Sequence, residues 1–261
     1  MNPILKLEVA GKLAHFRKFY GNSTALSYSI PPRTTIMGML ASMLGLEKGS
    51  YHEAFQHENL RIGISVKGAV RKSIHVLNHL KVSSPSDLNG SNKFNAHTQI
   101  PFEIVMPEDL ATQDLQYAIY LTPSGNAELF ERIQECCLNG NHLFNLTFGT
   151  ANFHASLTHA EFIEQTAEKH ADEAELTFHS AINSHGVQSI IHAPDSDFHL
   201  TEELLPAEFK ENESRELQSM SRMLFSTSGK PFSAVYTGPY SEIKSQTGLE
   251  RITFIEPIPS R

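Results

Sequence analysis

The order in which hydrophobic residues change their spacing along the first 160 residues constrains the fold most strongly. Apolar and polar residues alternate in residues 5–9, which indicates a strand. Residues 36–44 place apolar side chains at helical spacing, and residues 60–66 alternate again. Two extended runs follow, then a second amphipathic helix at 126–139 and a last extended run at 142–149. This β-α-β-β-α-β order predicts an α+β, ferredoxin-like domain.

Two further regions interrupt or follow this pattern. Residues 83–95, SSPSDLNGSNKFN, are rich in turn formers and predict a mobile projecting loop or the tip of a hairpin. Beyond residue 160 the sequence contains extended runs with an acidic helical stretch between them. We therefore expect a ferredoxin-like domain at 1–160 and a smaller, mostly β region at 161–261, without a clear linker between them.

The charges of the chain are distributed unevenly. The formal net charge is −8, but residues 1–100 contain 12 Lys and Arg against 5 Asp and Glu, a net charge of +7. Residues 101–261 contain 9 against 24, a net charge of −15. Such asymmetry favours a basic binding face for an anionic partner in the first hundred residues. The alternative is that the solvent-exposed surfaces of the two halves differ in charge by chance.

Several classes of protein are not expected from this sequence. No segment reaches the roughly 20 apolar residues of a membrane helix, and the first residues do not resemble a secretory signal. Cys136 and Cys137 are adjacent, which fits neither a disulfide framework nor the spaced ligand pairs of a zinc site. The histidines of the acidic half do not match a metal motif either. We expect a cytoplasmic protein without a membrane, metal or cofactor partner.

The start of the first predicted helix, SIPPRTTI, has an unusual composition. Proline is favourable near a first helical turn, because the backbone N–H that it lacks would have no hydrogen-bond partner within the helix at that position. Arg33 is unfavourable at this end, since the helix dipole favours anions. A docked phosphate would explain a cation beside free N–H groups and the hydroxyls of Thr34 and Thr35. A plain helix cap, with Arg33 in solvent or paired with a carboxylate, is the alternative.

The loop HFRKFYGNS interleaves basic and aromatic residues. Arg17 and Lys18 lie between Phe16, Phe19 and Tyr20. Proteins that bind single-stranded nucleic acid use this combination, because cations contact phosphates and ring faces stack on bases. Phe16 or Phe19 can equally belong to the core, whereas Tyr20 lies next to a glycine and is predicted to be exposed.

The extended run at 70–82 separates into two sides at strand spacing. One side carries Arg71, Ser73, His75, Leu77, His79 and Lys81, and the other carries Lys72, Ile74, Val76, Asn78, Leu80 and Val82. The first side is polar enough to line a groove for a polyanion. The alternative is that it is a strand face exposed to solvent. Beyond the loop, the polar series continues with Lys93, Asn95, His97 and Gln99.

The segments SYSIPPRTTIMGMLASMLGL and NLRIGISVKGAVRKSIHVLNHLKV resemble the amino-terminal half of the Cas-five family. These are RAMP-superfamily subunits of type I CRISPR surveillance complexes, called Cascade. HTQIPFEIVMP and LFNLTFGTANFHASL are similar to the family's segments after its thumb and at its last ferredoxin-like strand. The motif that carries the resemblance consists of Pro31, Pro32, Thr34, Thr35 and Gly38. The resemblance covers residues 1–160 and is closest to the I-B-type subunits.

The resemblance implies a non-catalytic subunit that binds the 5′ handle of the CRISPR RNA and caps the complex. Its partners would be the large subunit and the first backbone subunit, with target DNA contacted indirectly through the complex. The segment at about 81–98 would be the thumb, with residues 83–95 at its tip, and Gly38 would permit close approach of another backbone. The residues expected to bind RNA are Arg17, Lys18, Tyr20, Arg33, Thr34, Thr35, Arg71, Lys72, Ser73, His75, Asn78, Lys81, Lys93, Asn95, His97 and Gln99.

Two other functions stay open at this point. One branch of the family, in I-C-type systems, is a metal-independent endoribonuclease that processes the CRISPR repeat with Tyr, Lys and His. The nearest such group here is Tyr20, Lys72 and His75, but the last two lie on opposite sides of a regular strand. Cleavage is therefore not expected. The other alternative is an unrelated α+β domain whose basic half binds an acidic small molecule.

Overall fold

The computed structural model describes residues 2–21, 23–80, 82, 84–88, 97–192, 198–210 and 216–259. Strands account for 53% of these residues, so the protein is mostly β. Up to residue 163 the elements are β1 (Ile4–Gly11), β2 (Phe16–Arg17), β3 (Ser27–Tyr28), α1 (Arg33–Leu44), β4 (Leu60–Val66), β5 (Val70–Leu80), α2 (Pro85–Leu88), β6 (His97–Pro107), β7 (Leu115–Pro123), α3 (Ala127–Asn139), β8 (Leu146–Thr147) and β9 (His154–Ile163). They continue with β10 (Thr166–Phe178), β11 (Ile182–Asn183), β12 (Val187–Ile191), β13 (Leu200–Phe209), β14 (Leu217–Ser226), β15 (Phe232–Ser245), β16 (Gly248–Ile252) and β17 (Ile258–Pro259). None of the described helices is long and apolar enough to cross a membrane.

A five-stranded antiparallel sheet, in the order β4-β7-β1-β9-β8, is the centre of the first region. Along β1, Leu5, Leu7 and Val9 share a core with the buried residues of α1 and α3. This alternation confirms the predicted strand. The second face is also covered, because apolar residues of β15 and β16 pack on β1 and β7. Lys6, on that face, is therefore buried rather than in solvent.

The two long helices follow the predicted signals. The apolar stripe of α1 at residues 36–44 is buried, apart from the half-buried Leu44. Gly45 ends α1 with a φ of +70°, a left-handed conformation that glycine adopts without a steric cost. At the start of α3, the Asn126 side chain accepts a hydrogen bond of 3.0 Å from the Leu129 amide. Local signals thus define both helices.

The last strand of the first region lies further along the chain than predicted. Residues 142–149 contribute only the short β8, and β9 occupies the position beside β1. The chain bends at Gly149, where φ is +89° and a β-carbon would come within 2.0 Å of the His15 carbonyl oxygen. Most side chains of β9 are exposed or half-buried, so its sequence lacks a strong apolar pattern.

Beyond residue 163 the chain forms two further sheets. One contains β10-β15-β12 with β16 paired to β15, and the other contains β11-β14-β13 with β17 paired to β14. The predicted extended runs are confirmed, but the predicted acidic helix is wrong. Among the described residues of this half, the helical structure is one 3-10 turn at Ser184–Gly186. The acidic residues between these runs include TEELLPAEF, which belongs to β13 and pairs with β14 because tertiary pairing overrides helix propensity.

The hairpin of β5 and β6 is inserted between β4 and β7. Its ladder runs from Val70 and Pro107 to Leu80 and His97, and isolated bridges join β6 to Ala14 and Ala25 in the loop after β1. Ile74 and Val76 are 57% and 61% exposed, so this part of β5 faces solvent. The expected thumb tip, including Lys81, Lys93 and Asn95, lies largely outside the described residues, and the thumb stays a prediction.

Candidate nucleic-acid interface

A groove of about 670 Å³ lies between the loop after β1, the start of α1 and the hairpin. Arg17, Thr34, Thr35, His79 and Phe102 contribute to its lining. The first three are predicted site residues, and His79 belongs to the predicted polar side of β5. The structure thus brings together three segments that the sequence singled out separately.

The lining of this groove is aromatic and hydroxylic rather than strongly charged. The rings that line it are those of Phe16, Phe19, Tyr51, Phe102 and Phe209, and its hydroxyls include those of Thr34, Thr35, Ser42, Thr147 and Thr150. Arg17 is the one permanently charged side chain among the described residues of the lining. Ring faces with hydroxyls and one cation suit the bases and riboses of a single strand better than a lone phosphate.

The aromatic residues of the loop divide as predicted. Phe16 is buried, whereas Phe19 and Tyr20 are 53% and 56% exposed. The rings of Phe19 and Tyr20 contact each other edge to face at 5.2 Å between centroids. Phe19 lines the groove, whereas Tyr20 contacts Phe19 without being part of the lining. Exposed aromatic pairs of this kind offer surfaces on which nucleobases stack.

Arg33 does not belong to the groove, which corrects its prediction as an RNA-binding residue. Its side chain is fully buried. Nη2 donates to the carbonyl oxygens of Phe55 at 2.6 Å and Leu60 at 2.9 Å. Nη1 lies 3.4 Å from a carboxylate oxygen of Glu208, which itself accepts from the His57 amide at 2.9 Å. Burial lowers the pKa of Arg33 to about 10, although Glu208 opposes this shift.

The unfavourable position of Arg33 at a helix start therefore has an internal explanation. The guanidinium ties loop carbonyls and β13 to the first turn of α1, and the carboxylate alternative raised by the sequence is the one observed. No side-chain hydrogen bond caps this turn. Thr34 and Thr35 stay at the groove without Arg33 beside them.

Lys18 and Lys72 are held by a single carboxylate. Their Nζ atoms lie 3.7 Å and 3.6 Å from Oε1 of Glu203, which is buried on β13. Glu203 also accepts a hydrogen bond of 2.9 Å from the Ser29 amide. Lys72 further donates to the Ser27 carbonyl at 3.2 Å. Both lysines are therefore partly neutralised before any anion binds.

The other predicted site residues lie elsewhere. Arg71 is at the base of the hairpin, where Nε donates to the Glu108 carbonyl at 3.1 Å. On the hairpin, the remaining predicted site residues lie outside the groove lining and are Arg71, Ser73, His75, Asn78 and Gln99. Lys81, Lys93 and Asn95 are outside the described residues, as is the side chain of His97, whose backbone starts β6. The groove therefore unites a minority of the predicted set.

The potential catalytic group is not assembled in the described chain. Lys72 opposes Val105 and His75 opposes Phe102 in the regular ladder, so their side chains leave opposite faces of the hairpin. Lys72 is also engaged with Glu203 and Glu103. Among the described residues, no group of three His, Cys, Asp or Glu side chains is close enough to hold a metal ion.

His15 is the groove residue that the sequence analysis missed. It is 2% exposed, lines the groove and stacks on Phe102 with 3.9 Å between ring centroids. Its Nδ1 lies 2.7 Å from the Glu103 carbonyl oxygen. Because these partners are nearly 90 residues away along the chain, no local pattern could have indicated them.

Comparisons with known proteins identify the family. The sequence model of one family, the CRISPR-associated protein (Cas_Cas5), matches residues 4–229. The chain belongs to the Cas-five family. None of the curated proteins matches it.

Solved structures give a second comparison. A crystal structure of a CRISPR protein from Archaeoglobus fulgidus matches with a TM-score of 0.54 and 12% identity, over 98% of this chain and 99% of that chain. At this identity the match shows a shared fold for this Cas-five protein. A chain described as a CRISPR RNA-guided surveillance complex matches with a TM-score of 0.47 and 12% identity, over 89% and 90% of the two chains.

Proposed function

We propose that this Cas-five protein is a non-catalytic subunit of a type I-B-like Cascade and binds the 5′ handle of the CRISPR RNA in the groove. The observation that carries this proposal is the meeting of the basic-aromatic loop, the Thr34–Thr35 helix start and the hairpin at one aromatic groove. Family membership supports the CRISPR role. Arg17 provides the phosphate contact, and the exposed rings provide stacking surfaces.

The strand order supports a ferredoxin-like domain. Strands β4, β7, β1 and β9 lie side by side in that order, with α1 after β1 and α3 after β7. A split β-α-β domain has this arrangement. We assign this domain to about 1–160, the β5–β6 hairpin to its thumb and 161–261 to a smaller β region that packs against it.

The partners proposed are the large subunit and the first backbone subunit, with the protein at one end of a cytoplasmic complex. Target DNA is contacted only through that complex. The acidic second half supports this arrangement, because its negative charge would repel nucleic acid. RNA binding is then confined to the groove.

The absence of cleavage by this subunit is part of the proposal. General acid–base cleavage needs its groups within hydrogen-bond reach of one scissile phosphate. The divergence of Lys72 and His75 across the hairpin opposes such an arrangement. A separate endonuclease then processes the repeat RNA.

The test is binding of labelled repeat RNA to the full chain, alone and with its co-expressed partner subunits, across a salt series in EDTA. We expect intact RNA and affinity that falls with salt. Arg17→Ala should weaken binding about tenfold, and Arg222→Ala, a surface arginine outside the groove lining, should not. Binding without salt dependence contradicts the proposal. Cleavage that disappears in His75→Ala supports the endoribonuclease instead.

A further inference from the structure

One polar atom in the lining of the groove has no partner among the described residues. Nδ1 of His15 faces the Glu103 carbonyl oxygen at 2.7 Å, and a carbonyl can only accept, so Nδ1 carries the proton. Nε2 is then a lone-pair acceptor. It is buried and has no hydrogen-bond partner in the described chain. Buried polar atoms are seldom left unpaired, so this one calls for a donor.

The ring is fixed in its orientation by backbone contacts on both sides. The His15 amide donates to the Phe148 carbonyl at 3.0 Å, and the Glu103 amide donates to the Ala25 carbonyl at 2.9 Å. Stacking on Phe102 holds the plane of the ring. The imidazole therefore cannot exchange its two nitrogens without breaking the contact with Glu103.

The protonation state of His15 follows from its surroundings. Burial lowers the pKa of the ring, the hydrogen bond to Glu103 partly opposes this, and the nearby positive charge of Arg17 lowers it further. At neutral pH the ring is therefore uncharged. A neutral ring with Nδ1 protonated offers no charge to a phosphate and only an acceptor at Nε2.

We propose that Nε2 of His15 accepts a hydrogen bond from an N–H or O–H group of the nucleotide in the groove. This inference rests on the proposed function. A phosphodiester has no proton to donate, so the donor is a base amino or imino group or a ribose 2′-hydroxyl. His15 is thus a specificity-determining residue that reads a nucleoside. Nε2 is buried in this structure, so the contact requires the groove to open beside His15.

Two substitutions separate the acceptor from the packing of the ring. His15→Gln can donate to Glu103 through its amide N–H and accept through its amide oxygen. His15→Phe keeps an aromatic ring on Phe102 but has no acceptor. Fluorescein-labelled octamers of A, C and U are titrated against the full chain by fluorescence anisotropy at low salt. For the RNA that the wild type prefers, His15→Phe should weaken binding about tenfold and His15→Gln about threefold or less.

Changes in the RNA test the same contact without altering the protein. Replacing the preferred RNA octamer by its 2′-deoxy counterpart removes the hydroxyl, whereas purine in place of adenine, or 2-pyrimidinone in place of cytosine, removes the amino group. One of these changes should cost about tenfold with the wild type and little with His15→Phe. For oligo(U), 3-methyluracil removes the imino donor. The wild-type measurements decide the matter even if His15→Phe does not fold.

The outcomes distinguish this inference from the function on which it rests. Arg17→Ala should weaken all octamers in parallel, because it contacts the backbone. If the wild type binds RNA in a salt-dependent manner but no donor deletion weakens binding, the His15 contact is wrong and the proposed function stands. If the wild type binds no octamer at any salt concentration, both are overturned.

Discussion

Arg33 and Glu208 lie 3.4 Å apart in the interior of the protein, although 175 residues separate them in the chain. This pair is one of several between the two halves. In the part of the chain that the structure describes, six basic residues of the first hundred pair with carboxylates beyond residue 160, namely Lys6 and Lys67 with Glu250, Lys18 and Lys72 with Glu203, Arg33 with Glu208 and Arg61 with Glu168. Much of the charge asymmetry is therefore internal complementarity, and Arg17 supplies the positive charge in the groove.

Arg33→Met should destabilise the protein. The substitution leaves Glu208 buried without its cation and several carbonyls without a donor, which costs about 3–5 kcal/mol. Urea unfolding measures this loss, and Arg17→Met, at an exposed position, should change the free energy of unfolding by about 0.5 kcal/mol or less. An Arg33→Met protein of normal stability that fails to bind RNA would instead make Arg33 an RNA ligand.

Glu203→Gln should strengthen the salt dependence of RNA binding. The change removes the charge that holds Lys18 and Lys72, while an amide can still contact the backbone of Ser29. Each lysine released to a phosphate steepens the slope of log K against log salt by about 0.7. Glu202→Gln, the adjacent exposed position, is the matched control. Equal slopes for the two variants contradict the idea that Glu203 masks these lysines.

Gly38→Ala should separate stability from binding. Among the described residues, a β-carbon on Gly38 meets the Tyr51 hydroxyl alone, at 3.3 Å, and the residue borders the groove. The expected approach of another backbone stays a prediction. Alanine is favoured over glycine in a helix by about 1 kcal/mol, which offsets this tight contact. We expect unchanged or higher thermal stability with weaker RNA binding. Lower thermal stability with unchanged affinity for RNA would show that Gly38 does not contribute to RNA binding.

Glu250 should make the fold sensitive to acid. Burial alone would raise its pKa, but hydrogen bonds from Lys6 at 2.5 Å and Tyr120 at 2.6 Å lower the pKa to about 2, against an ordinary value of 4.5. A carboxylate with a depressed pKa stabilises the fold fully above pH 4.5 and loses this contribution as the pH falls towards 2.

The measurement is the free energy of unfolding between pH 6 and pH 2.5. The wild type should lose on the order of 2 kcal/mol more than Glu250→Gln over this interval. Glu216→Gln, at an exposed ion pair, should follow the wild type. Parallel curves for wild type and Glu250→Gln contradict the assignment.

The parts of the fold that could be predicted are those with local signals. The alternation in β1 and the apolar stripe of α1 depend on neighbouring residues, and the structure confirms them. The caps that the structure shows at Gly45 and Asn126 are local features as well. The half-exposed β9 and residues 166–173 of β10 could not be recognised, because pairing with distant strands determines them.

The candidate site shows the same division. Arg17, Thr34 and Thr35 were found because interleaved aromatic and basic residues and a helix start are local patterns. The burial of Arg33 depends on Glu208 and the acceptor of His15 on Glu103, which are distant in sequence. The candidate residue types were therefore visible in the sequence, but the contacts that each side chain makes depend on tertiary structure.

Ultraviolet cross-linking of the bound repeat RNA, followed by mass spectrometry of the modified peptides, tests the central claim most directly. The account predicts cross-links to the rings of the groove, in peptides that contain Phe19 and Phe102. Cross-links confined to the acidic surface of β10, with none in the groove, would contradict it.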